Sequence, residues 1–308
     1  MSWTFDAPSG TYKNHSLSSK IRRQAIARAV FMRFLTQEPN FGRGKGESHT
    51  ITRYLKLALA TRIGETDDLP TGRPAINTKT VDVSRWGFMI PVTEYERQFT
   101  FYDIMSPLQA TLREQMELTM DKMAADAMKK TPIKYVPETT GFTLTTNGTP
   151  GATSDRNLAV SDLREIHDYL STDLLSPTFA NGQYVGIVST KAARGIKNDP
   201  EYKDWQAPTT AEPFITGVLK SIEGFTLIET NNVDALAALA GASTTTGEAV
   251  FFGADAAGLI QVQPPELRIA GNSAKLGLER LIGWVGILEA FLVWEQAAQA
   301  RIVHVSSA

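Results

Sequence analysis

The sequence predicts an α+β protein, and three patterns carry that prediction. Leu108, Leu112, Met116, Met120, Met123 and Ala127 recur every three or four residues and mark one long amphipathic helix. Short apolar runs at 184–188, 225–229 and 249–252 are separated by helical texture and mark buried strands of an α/β region. Apolar residues alternate around 51–57 and 81–92, marking two strands of an extended excursion. The chain has 308 residues, a length that allows about two ordinary domains. With 42% hydrophobic and 21% charged residues, its composition is that of a folded globular chain.

In order along the chain, residues 1–15 show no periodicity. Residues 17–35 read as a helix: Leu17, Ile21, Ala25 and Ala29 recur every four residues, and Ile26, Val30 and Phe34 add a second row. Arg22, Arg23, Arg28 and Arg33 spread around its remaining surface. Gly42, Gly44 and Gly46 then break any regular element. Ile51, Leu55 and Leu57 share one parity and predict an outgoing strand. Val81 and Val83 begin a returning strand that Trp86, Phe88, Ile90 and Val92 continue on the opposite parity. That switch at Arg85, beside Gly87, predicts a bulge. The polar tip between the strands carries Arg62, Glu65, Asp67, Asp68 and Arg73. Residues 49–92 thus form a long two-stranded flap, which is marginal alone and needs another surface to lie on.

For the long helix, Ser106 is the predicted N-cap, Pro107 takes the first helical position and Gln109 completes a capping box. Lys129 and Lys130 suit its last turn and Pro132 ends it. Residues 138–157, rich in Thr, Gly, Pro and Asn, read as an exposed loop or ragged hairpin. Ser161 caps a second helix carrying Leu163, Ile166 and Leu170. Residues 191–198 form a short helix that stops before Pro200. Residues 235–247 read as a surface insertion of Ala, Gly and Thr, and apolar strand material at 281–294 and 301–305 closes the chain.

Charge is uneven. The first sixty residues hold four lysines and six arginines against Asp6, Glu38 and Glu47, a net +7, which leaves −9 on the rest of a chain whose total is −2. A basic arm on an acidic body is expected to meet something negative: nucleic acid, a membrane surface, or the body of a neighbouring copy. The arm's cations are not confined to one face, which disfavours the membrane. No basic segment followed by an apolar one opens the chain, so no secretory signal is predicted. The apolar run at 281–294 is too short to cross a bilayer and carries Glu289. There is no cysteine, which excludes disulfides, thiolate metal sites and thiol nucleophiles.

The chemical motifs fail on inspection. His15, His49, His167 and His304 are not at metal-ligand spacing from one another. His167 reads as a solvated helix residue, and His304, between Val303 and Val305, as an outward strand residue. Gly42-Arg-Gly44-Lys-Gly46 lacks the Ser or Thr after lysine and the spacing of a phosphate loop, and reads as a hinge. The segment after Gly271 lacks the second glycine of a nucleophile elbow. No catalytic residue, cofactor or metal is expected.

The runs GQYVGIVST at 182–190, IKND at 196–199, GVLKSIEGFTLIE at 217–229 and VFFGADA at 250–256 stand in an ordered set. The set comprises a basic arm, long flap, long helix, Gly/Thr-rich loop, α/β region and closing apolar strands. Over residues 20–305 this order resembles the major capsid proteins of tailed bacteriophages with the Hong Kong 97-like (Johnson) fold. The nearest likeness is to the subfamily typified by the coliphage N-four capsid protein. The resemblance implies an N-terminal arm at 1–48 and an extended β-hairpin loop (E-loop) at 49–92. It places a peripheral domain with a long spine helix and a hairpin at 93–160. An axial α/β domain follows at 161–283, and return strands of the peripheral domain at 284–308. It implies self-assembly into hexamers and pentamers of an icosahedral head enclosing double-stranded DNA, put together in the host cytoplasm. It further implies a portal protein and a separate scaffolding protein as partners, with packaged DNA contacted without sequence preference, and leaves the presence of a decoration protein open. The tip residues Arg62, Glu65, Asp67, Asp68 and Arg73 are then intersubunit contacts. Arg22, Arg23, Arg28 and Arg33 then face a neighbour or DNA. Some relatives join a flap lysine to a neighbour's asparagine. Lys79 is the candidate donor here, but no acceptor or catalytic acid is identifiable, so no cross-link is expected. Two alternatives remain at this stage: an encapsulin-like nanocompartment shell, and an α/β enzyme built on 161–283.

Overall fold

The computed structural model describes residues 27, 29–38, 44, 46–64, 68–99, 105–206, 221–236, 247–270 and 278–308. A 3-10 turn at Phe31–Phe34 leads into β1 (Thr36–Gln37), β2 (Ser48–Tyr54), β3 (Ile76–Asp82) and β4 (Ser84–Thr93). Next come α1 (Glu94–Phe99), α2 (Met105–Lys129), β5 (Lys134–Glu138), β6 (Gly141–Thr145) and α3 (Val160–Asp168). After a π turn at Tyr169–Asp173 come β7 (Tyr184–Ser189), α4 (Thr190–Asn198), α5 (Pro200–Gln206), β8 (Ser221–Ile222) and β9 (Phe225–Thr230). The chain ends with β10 (Gly247–Phe252), β11 (Ala257–Ile269), β12 (Glu279–Leu292) and β13 (Ile302–Ser307).

Seven strands form one sheet in the order β6-β5-β13-β10-β7-β9-β8, and four form another in the order β1-β11-β12-β4. Strands β2 and β3 pair with each other as a separate ribbon. The middle of the larger sheet is covered on both faces, so β7, β10 and β13 read as apolar runs with little alternation. On one face, Leu163, Ile166 and Leu170 of α3 and its continuation, with Ala192, Ala193 and Ile196 of α4, pack on Tyr184, Val188, Phe225, Phe251, Val303 and Val305. On the other, Val185, Ile187, Val250, Phe252 and Ile302 pack on Ala124, Ala125 and Met128 of α2 and on Val30 and Phe31.

Helix α2 runs 25 residues, about 37 Å. Its length lets it serve both sheets. Leu112, Met120, Met123 and Ala127 pack on Val92, Ile282, Trp284, Leu288 and Ala290 of the smaller sheet. Each fully buried Leu or Met of this seam is worth roughly 1.5–3 kcal/mol. The Trp284 Nε1–H donates to Gln115 Oε1 at 2.6 Å and fixes the indole against the helix. Where β4 pairs with β12, a Cβ on Gly283 would stand 2.6 Å from the Phe88 carbonyl oxygen, so a larger residue there forces the strands to shift.

Several expectations change. The predicted helix at 17–35 is not helical over its described end: Phe31–Phe34 is a 3-10 turn and β1 follows. The Asp121 carboxylate takes the Val30 and Phe31 N–H groups at 2.7 Å each and caps a short turn instead. The parity switch near Arg85 is a change of sheet, not a bulge. The ribbon ends at Asp82, and β4 pairs with β12 throughout. Helix α2 starts at Met105, placing Ser106 inside it. Helix α3 starts at Val160, and Asp162 takes the Ala159 N–H in place of a Ser161 cap. The sequence pattern does not predict strand β11. Its Pro264 and Pro265 interrupt the pattern, and the ladder slips register around them. Pairing also crosses the divisions at 160/161 and 283/284, since β5, β6 and β13 join the larger sheet and β11 the smaller. His304 points inward and is buried.

Candidate assembly surfaces

The ribbon begins as a side of the body and ends away from it. Its register runs from Ser48 opposite Asp82 to Tyr54 opposite Ile76. Alternation turns Ile51, Arg53, Lys79 and Val81 toward β12 and its outgoing chain. Val81 packs with Ile260, Phe291 and Val293. Arg53 is buried, and its Nη1 donates to the Val293 carbonyl at 2.6 Å. Its guanidinium lies 6.0 Å from the Trp294 ring, whose centroid is 4.5 Å from the Arg301 guanidinium. The Lys79 ammonium donates to the Leu292 carbonyl at 2.9 Å, pairs with the Glu295 carboxylate, and stands 5.8 Å from the Phe291 ring. Two cations therefore bind carbonyls at the end of β12 and clamp the ribbon's base.

Beyond the clamp, a backbone bond from Leu55 N–H to the Ala75 carbonyl at 2.9 Å still joins the two sides. Residues 56–64 and 68–76 are then exposed throughout. Leu59 is 86% and Leu69 76% exposed, with Tyr54, Leu57 and Ile76 also open. Arg62, Asp68 and Arg73 lie on this exposed part, whereas Glu65 and Asp67 fall outside the described residues. Arg33 is exposed on the 3-10 turn, and Arg22, Arg23 and Arg28 fall outside the described residues. The clamp residues Arg53 and Glu295 were not singled out from sequence. Arg53 shares a parity with Ile51, which was the available signal, but its partners lie far downstream.

A second open surface lies on the smaller sheet. Gly87, Phe88, Met89, Ile269, Gly283 and Val285 line an apolar groove of about 530 Å³. Phe88 is 51% and Met89 58% exposed. Trp86 and Ile90, assigned to the flap from sequence, pack within the chain beside α2. Among the described residues, no cluster of three His, Cys, Asp or Glu could hold a metal. No described helix is long and apolar enough to cross a membrane.

Known proteins agree with this architecture. The capsid of cyanophage Pam1 superposes with a TM-score of 0.74 at 14% identity, over 99% of this chain and 98% of that one. The capsid of Helicobacter pylori bacteriophage KHP30 does so with a TM-score of 0.72 at 11% identity, over 100% and 99%. That of cyanophage P-SCSP1u gives 0.68 at 9% identity, over 96% and 93%. These likenesses establish the Hong Kong 97-like capsid fold. No curated protein matches the sequence. A family model described as phage capsid protein matches residues 76–281, about two thirds of the chain. The chain therefore belongs to the phage capsid protein family, a family of virion shell proteins and not of enzymes.

Proposed function

We propose that this major capsid protein assembles into hexamers and pentamers of an icosahedral head around double-stranded DNA, with each ribbon lying on a neighbouring copy. The observation that carries this reading is the ribbon itself. Its base is held by Arg53 and Lys79, while Tyr54, Leu57, Leu59, Leu69 and Ile76 stay open in a single chain. Such a concentration of exposed apolar side chains marks a contact surface. A head-to-tail contact of this kind can propagate a closed lattice. The arm is residues 1–47, and the extended loop, expected at 49–92, is taken as the ribbon of β2 and β3 with its tip, residues 48–82. The peripheral part comprises α2 with the four-stranded sheet, and the axial part the seven-stranded sheet with α3 and α4. The tip residues Arg62, Glu65, Asp67, Asp68 and Arg73 set register by polar pairing with the neighbour. A portal, a separate scaffolding protein and non-specifically bound DNA complete the partners. Assembly takes place in the host cytoplasm, and the subfamily is that of the coliphage N-four capsid.

Deletion of residues 62–74 tests the reading. The described residues of the ribbon tip contribute nothing to the clusters that bury the two sheets, so circular dichroism should stay native. Sedimentation and negative-stain microscopy should find no closed shells. Shells of normal size would refute the assembly role, and particles that carry protein cargo without nucleic acid would favour a nanocompartment.

A further inference from the structure

A group of buried charges in the larger sheet, away from the ribbon, takes no part in the assembly reading. His304 on β13, Glu248 on β10 and Lys134 on β5 lie side by side across three adjacent strands. His304 is registered opposite Val250 and Lys134, and Glu248 opposite Ser306. All three are buried. His304 Nε2 lies 2.6 Å from Glu248 Oε2, with neither side chain accessible to solvent. Ser306 Oγ donates to Glu248 Oε1 at 2.6 Å. Lys134 Nζ donates to the Lys129 carbonyl, at the end of α2, at 2.5 Å. Neither His304 Nδ1 nor His304 Nε2 makes an aligned hydrogen bond among the described residues, so the approach of Nε2 to Glu248 is a close electrostatic contact.

The charged groups that bear on His304 are Glu248, Lys134 and Lys129, the last paired with Asp126 at 2.9 Å. Burial disfavours the imidazolium and holds its pKa below the usual 6.5; Glu248 opposes this, and the two lysines reinforce it. Burial also lowers Lys134 to about 8, against the pull of Glu248 and with the push of Lys129. The arrangement is balanced when Glu248 is anionic, Lys134 cationic and His304 neutral: one negative charge beside one positive. A proton on His304 adds a second positive charge in the middle of the sheet, where it is costly.

In the strand order, β13 is what joins the β5–β6 hairpin to the rest of the sheet. We propose that this cluster makes the C-terminal strand an acid-sensitive joint: a proton taken up at His304 loosens β13 from β10 and β5 before the other strands open. The direction follows from linkage. The opened strand binds the proton with the ordinary pKa of 6.5 and the closed strand binds it more weakly, so stability of the joint falls as pH falls below about 6.5. The fall levels off once pH passes the closed-state value. Lys134 makes stability rise with pH between about 8 and 10.5, so its own titration does not open the joint in that range.

Hydrogen exchange of the full chain, followed by mass spectrometry at pH 7.5 and 5.5 and corrected for intrinsic rates, tests the joint. Opening of β13 and β5 should rise by up to about tenfold per pH unit below about 6.5, while β7 and β9 do not follow. His304→Gln should flatten that response. An unchanged β13, all strands opening together, or a variant that keeps the full response would each overturn the proposal. Should His304→Gln not fold, exchange at the imidazole Cε1 of the unaltered protein decides. A His304 midpoint below 6.5 supports the joint, and one at or above 6.5 overturns it.

Discussion

Asp121 sits in the middle of α2 yet is fully buried. Its carboxylate takes the N–H groups of Val30 and Phe31 at 2.7 Å each and the Asn232 amide at 2.9 Å. One side chain thus ties the N-terminal segment, the long helix and the loop after β9 together. Asp121→Ala would leave three buried donors without their acceptor, at about 1–3 kcal/mol each and less than additively. The expected loss in denaturant unfolding is about 3 kcal/mol, with faster hydrogen exchange across 29–37. A loss below about 1 kcal/mol would refute the tie. Nothing in the local sequence announces this residue. Its neighbours are ordinary helix formers, and its partners lie some ninety residues upstream and more than a hundred downstream. His304 lies inside, against the outward position its sequence neighbours predict, for a related reason. Alternation with Val303 and Val305 separates inside from outside only when one face of a sheet meets water. Here both faces are covered, so every residue of β13 is inside.

At the scale of elements, α2 was readable because its apolar stripe is periodic and uninterrupted, and each member of that stripe packs on the smaller sheet. Strands β7, β9, β10 and β12 were readable from apolar runs bounded by turn residues. The flap was readable as two strands but not in its extent. Residues 76–93 look like one strand with a bulge, and only pairing partners show that Val83 separates two strands of different sheets. Two predictions belong here. Replacing both Arg53 and Lys79 with Met should release the ribbon's base from β12, because the carbonyls of Val293 and Leu292 and the Glu295 carboxylate lose their cationic partners. Hydrogen exchange across 48–54 and 76–82 should then quicken while β7 and β10 keep their protection. Uniform quickening would show that the clamp supports the whole body instead. Gly283→Ala, by contrast, should weaken the body. Its Cβ would press on the Phe88 carbonyl at 2.6 Å, and overpacking of this kind costs about 1–3 kcal/mol. An unchanged unfolding midpoint would show that β4 can shift aside freely.

For the whole molecule, strand order was beyond a reading of local pattern. The sheets are interleaved in sequence: β13, the last strand, lies between β5 and β10, and β1 pairs with β11 more than two hundred residues away. What local reading does reach is the distribution of charge, since it needs no pairing. The first sixty residues carry +7 and the remainder −9. The structure refines that balance, because Arg53 is turned inward onto the Val293 carbonyl, whereas Arg33 is exposed. Arg33 is therefore open to something outside its own chain, and the proposed role of the arm extends this to its other cations, with DNA or the acidic body of another copy as the partner. Replacing Arg22, Arg23, Arg28 and Arg33 with Gln removes four positive charges. If the arm meets DNA, empty shells should form normally while packaging falls, and DNA binding by the unaltered chain should weaken steeply with salt and show no sequence preference. If it meets a neighbour, shells should form poorly before any DNA is present, and raising the salt on the unaltered chain should mimic the variant, since contacts between exposed charges are screened over about 8 Å at physiological ionic strength. Normal yields of filled heads from the variant would refute both contacts and leave the charge asymmetry without a role in the shell.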